Sequence, residues 1–137
     1  TGGEVVDLRR LCERCLTGTT PLLALPGGRY AFASTVHGEV VLAPDTGTPR
    51  IVNADHELLV VIVGADGGVE DHALVARVDQ GASPQAMTLT SDGGLAIGGS
   101  AWSLAIDNGP TFEAQGGWHY PGRAFLVVLD AEHRALR

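Results

Sequence analysis

The chain has 137 residues, 45% of them hydrophobic, which suits one domain with a buried core. Nine basic against sixteen acidic residues give a formal charge of −7, and no Lys/Arg run interrupts that balance. The attraction to phosphate that nucleic acids and anionic membranes offer a basic protein is therefore missing, and neither is expected as a partner. Apolar runs such as Leu58 to Val63 also fall far short of the roughly 20 residues that a bilayer span requires.

In chain order, the first segment starts at Thr1 rather than Met, which points to removal of a signal peptide or to a longer upstream chain. Within it, Leu8 to Leu16 suits either one or two amphipathic helical turns or an outer strand. Cys12 and Cys15 make a Cys-x-x-Cys pair: a local disulfide in an exported chain, a thiol pair in a cytosolic one. Without a second Cys or His pair they are half of a zinc signature.

From Thr20 onward the pattern is strand-like, with alternating or blocked apolar residues closed by Gly, Pro, Asn or Asp. Gly27 to Thr35 reads as a strand after a glycine turn. Leu58 to Val63 turns at Ala65-Asp66-Gly67-Gly68 into Val69 to Val78, and Asp-Gly between apolar strands is a strong hairpin signal. Gln85 to Thr90 turns at Ser91 to Gly94 into Leu95 to Ser100. Trp102 to Ile106, the turn Asp107-Asn108-Gly109, a glycine-rich excursion and Ala124 to Asp130 complete the chain. The expectation is an all-β fold of antiparallel four-stranded meanders in tandem, with propeller-blade-like or sandwich-like packing.

Two internal matches support the tandem. Gly27–Thr35 aligns with Asp92–Ser100 at an offset of 65 residues, and Leu59–Gly68 aligns with Phe125–Arg134 at an offset of 66. A looser match places Val5–Leu25 against Val69–Leu89. Residues 1–19 then carry the last strand of a preceding unit, 20–82 form one unit and 83–137 an incomplete second. A lone meander exposes two edges and an apolar face, so each unit must pack on a neighbour.

The Asp-Gly hairpin "SDGGLAIGGS", the glycine-rich insertion and the strand "RAFLVVLDAEHRAL" together resemble the SBBP-type bacterial β-propeller repeats. The resemblance covers roughly Thr20 to Arg137. Pro26-Gly27-Gly28 departs from its Asp-Gly turn, and the tryptophan common on the outer strand is missing after Asp66 and Asp130. Two units are fewer than the four to eight blades of a closed ring. The chain would then be a fragment, a half that pairs with a copy of itself, or a sandwich. The resemblance implies a non-enzymatic binding or protein-interaction module of an exported bacterial protein, extracellular or at the cell surface.

Candidate chemistry is sparse. Asp55, His56, Asp71 and His72 are the candidate metal or catalytic set, because antiparallel arms around the turn at Asp66 would bring Asp/His pairs toward one another, with carboxylates free to support imidazole ligands. That set would serve a hydrolase or lyase of the propeller or sandwich type, the enzymatic alternative. No Gly-x-Ser-x-Gly elbow and no phosphate loop are present. The acidic turns lack the ladder of a calcium loop, so Asp and Gly there fit plain turn geometry. No cofactor is expected, calcium and zinc being the ions the acidic turns, the cysteines and the His/Asp pairs would allow. Phe112, Trp118, His119 and Tyr120 form an aromatic excursion able to grip a protein or stack on a glycan. A third reading is a structural or self-assembling subunit, as a homo-oligomer or beside neighbouring repeats of a longer chain.

Overall fold

A computed structural model describes residues 10–15, 20–107, 109–113 and 122–132. All regular structure among them is β-strand, and every pairing is antiparallel. The strands are β1 (Cys12–Glu13), β2 (Leu22–Leu25), β3 (Arg29–Leu42), β4 (Arg50–Val63), β5 (Val69–Val78), β6 (Ser83–Leu89), β7 (Leu95–Ala101), β8 (Ser103–Ala105), β9 (Thr111–Glu113) and β10 (Arg123–Leu129). No helix of the described residues is long and apolar enough to cross a membrane.

One sheet runs β1-β3-β4-β5-β8-β9, with β2 also paired to β3; the other runs β10-β7-β6. The turns follow from local chemistry. In one, the Gly64 amide donates to the Gly68 carbonyl at 2.8 Å and Gly67 adopts φ +87°; in the other, Thr90 donates to Gly94 at 3.0 Å and Gly93 adopts φ +87°. Only glycine enters that region without a Cβ penalty. Asp66 closes the first turn by accepting from the Gly68 amide at 3.0 Å. In the second, Asp92 accepts from the Thr90 hydroxyl at 2.5 Å, which holds its carboxyl below the usual range.

The two sheets carry equivalent pairings. Tyr30 faces Val63, Phe32 faces Val61 and Ser34 faces Leu59 across β3 and β4; Leu95 faces Leu129, Ile97 faces Val127 and Gly99 faces Phe125 across β7 and β10. The middle strands differ by 65 residues and the third strands by 66, the offsets of the sequence matches. Flanking strands agree as well, with β6 against β7 as β2 is against β3.

Burial then distinguishes the two faces of each sheet. Between the sheets lies a core of Ala31, Ala33, Leu58, Val60 and Ile62 from the first and Leu95, Ile97, Phe125, Val127 and Leu129 from the second. On the other face of the first sheet, Phe32, Leu59, Val61 and Val63 pack with Val36, Val40, Leu42 and Val52 in a second core. Because Leu58 to Val63 is covered on both sides, it reads as a continuous apolar run. Each of these buried aliphatic or aromatic side chains contributes about 1.5–3 kcal/mol relative to exposure.

The structure departs from the expected pair of separate meanders in one respect. Trp102 to Ile106 was assigned to the second unit, but β8 and β9 join the first sheet through β5, with Val78 opposite Leu104. The Asp79 carboxylate draws the chain there, accepting from the Trp102 amide at 2.7 Å and the Ser103 amide at 3.0 Å. Among the described residues the second sheet therefore has three strands, and the expected final hairpin after Asp130 extends into 133–137, outside them. The first segment forms a short strand, not a helix, where it is described: Cys12 pairs with Leu42, and Arg10 grips Asp45 through Nε and Nη2. β1 thus borders the distal part of β3 as the end of β5 borders β8.

Candidate functional site

The register between β3 and β4 slips once. Val36 pairs with Glu57, and the next pair is Gly38 with Ala54, so the single residue His37 stands opposite two, Asp55 and His56. This is a β-bulge, which bends a strand and redirects its side chains. Gly38 takes φ +76° and His56 takes φ +52°. The hairpin folds back at this point: Arg50, at the far end of β4, reaches His72 on β5, a residue whose own partner is Val61.

In an unbroken strand Asp55 and His56 would point to opposite faces. The bulge instead gathers both around His37. The two imidazole rings stack with centroids 3.9 Å apart and planes within 10°. His37 Nδ1 lies 3.9 Å from an Asp55 carboxylate oxygen, and one ligand atom from each of the three residues falls within 4.8 Å of the others. The Asp55 amide donates to Glu57 Oε2 at 3.1 Å, which pins the backbone of the bulge. His56 Nδ1 is buried and makes no hydrogen bond to any described group.

The expected set of Asp55, His56, Asp71 and His72 is therefore divided. Asp71 and His72 pair with Ile62 and Val61, while Asp55 and His56 lie beyond Glu57, whose partner is Arg77. At about 3.3 Å per residue, five strand positions separate the two pairs by some 15 Å or more, too far for one ion. His72 is engaged elsewhere: its Nδ1 accepts from Arg50 Nη1 at 3.0 Å. Burial first, and the Arg50 guanidinium second, push its pKa below the ordinary histidine value, against the opposing pull of Asp71.

Of the expected aromatic loop, Trp118, His119 and Tyr120 lie outside the described residues. Phe112 belongs to β9, its backbone opposite Leu104. Cys12 and Cys15 are joined in a disulfide with Cα atoms 5.9 Å apart, and both pack on the second core. Asp66 and Asp92 spend their oxygens on their own turns, as plain hairpin geometry requires.

Two surface features complete the picture. A cleft of about 470 Å³ opens beside Leu22, Tyr30, Val63 and the turn from Gly64 to Gly67. On the second sheet, the face turned away from the first carries Leu126 at 69% exposed, beside half-buried Ala96, Gly98 and Val128. His37 was not singled out in the sequence, although Gly38 inside an apolar strand pattern is a bulge signal that points to it. No protein-family model, curated protein or solved structure matches the chain.

Proposed function

We propose that the chain is a non-enzymatic interaction module made of stacked repeat units, and that the open face of its second sheet docks a further unit of the same kind. The carrying observation is that unlike faces meet at the core. Ile97, Val127 and Leu129 of the second sheet are the counterparts of Phe32, Val61 and Val63, yet they pack on the Ala31, Val60 and Ile62 face. Two copies related by a two-fold axis would bring like faces together; stacking in one direction leaves an unlike face at each end. Ala96, Gly98, Leu126 and Val128 are the second sheet's counterparts of Ala31, Ala33, Val60 and Ile62, the face already covered in the first sheet. Small residues on the middle strand and aliphatic ones on the third give both faces the same relief, so the same occupant fits both: a sheet bearing large alternating aliphatics.

This one-way order favours the propeller-blade-like alternative over a sandwich, in line with the SBBP-type resemblance. A Cys12–Cys15 disulfide suits an oxidising compartment, which favours an exported location within this reading.

The test is a chain extended after residue 132 by a second copy of residues 83–132. It is expected to unfold at higher temperature than the parent, and Leu126→Asp should cancel the gain. The same substitution in the parent should change stability by no more than about 0.5 kcal/mol, since Leu126 is exposed there. An extended chain that gains nothing, or a gain that survives Leu126→Asp, would refute the docking face.

A further inference from the structure

We propose that His37, Asp55 and His56 bind one divalent transition-metal ion, zinc being the ion their donors suit best. The argument does not depend on the stacking of units. Two imidazoles and a carboxylate are the donor set of three-ligand zinc sites, in which a fourth position is left to water or another ligand. Two neighbouring strand residues converge on a third across the ladder only because the bulge turns them, and bulges commonly re-aim side chains at functional positions.

Two costs at this spot have no structural return in the protein alone. His56 holds φ +52°, a conformation that disfavours residues with a Cβ, where the neighbouring bend at Gly38 uses glycine. Its Nδ1 is also buried without a hydrogen bond, although a turned ring or a shorter side chain would avoid that. A metal bond to an imidazole nitrogen at this bulge would compensate both. The required movement is small. The donor atoms, spread over no more than 4.8 Å, must close by about an ångström to reach ligand distances of about 2.0–2.2 Å. Asp55, with its side chain 94% exposed, and His37, 53% exposed, are free to rotate, whereas half-buried His56 is the fixed member.

The experiment uses the full chain stripped with a chelator, titrated with Zn²⁺ by calorimetry and with Co²⁺ by visible absorption. One equivalent of either ion is expected to bind, with cobalt giving the intense bands of a four-coordinate site. His37→Ala and His56→Ala should each weaken binding about tenfold or more, and Asp55→Asn should weaken it by a smaller factor. His56→Gly separates the ligand role from folding, because glycine accepts the backbone conformation: this variant should fold at least as well as the parent and still lose the ion. His72→Ala should bind like the parent. Absence of stoichiometric binding by the parent, full binding by His37→Ala or His56→Gly, or loss of binding in His72→Ala would each overturn the assignment.

Discussion

His56 and His72 show how much a single side chain's setting matters in this fold. His56 stores conformational strain, so His56→Gly should raise the stability of the metal-free protein by about 1 kcal/mol, read from denaturant unfolding. His72 stores protonation energy instead. Its folded pKa lies below its unfolded value, so the unfolded chain binds the proton more readily and stability falls as pH drops through the histidine range. His72→Gln should flatten that part of the pH–stability curve, measured by thermal unfolding between neutral and mildly acidic pH. Gly99 is a third case: a Cβ there would run into the Ser83 carbonyl and the Phe125 ring. Gly99→Ala should cost about 1–3 kcal/mol in chemical denaturation. At this scale the sequence showed Asp55 and His56 but paired them with the wrong partners. A bulge shifts the ladder by one residue, and nothing in the local alternation of apolar positions records where that shift falls.

Among the elements, the strands of the two hairpin systems were legible because alternation and Asp-Gly turns specify them locally. The destination of β8 was not. Ser103 to Ala105 would suit either sheet by its pattern, and the choice falls to Asp79, a residue 23 positions before Trp102 that accepts the two amides freed where β7 ends. His37 stands 65 residues before Trp102. At the first position the strand continues through a bulge, and at the second it parts and changes sheets. Asp79→Ala should therefore loosen β8 and β9 selectively, at a cost of about 1–3 kcal/mol for the unsatisfied amides. Hydrogen exchange should report it, with the Trp102 and Ser103 amides losing protection while β3 and β4 keep theirs.

Across the whole molecule, the repeat was visible in the sequence as two offsets of nearly equal length, and its sheets pair at the same offsets. What the offsets could not disclose is which face of one copy meets the other, since alternation marks two faces on every strand without saying what covers them.

The loan of β8 and β9 to the first sheet has a consequence for how the molecule comes apart. A residue stretch that belongs to one unit by ancestry and to the other by hydrogen bonding acts as a clasp, so neither layer can be peeled away without breaking the other's border. Heating is accordingly expected to give a single calorimetric peak for the two layers, and excision of residues 20–82 a product that no longer melts cooperatively. Joints of this kind tie the thermal fate of each layer to that of its neighbour.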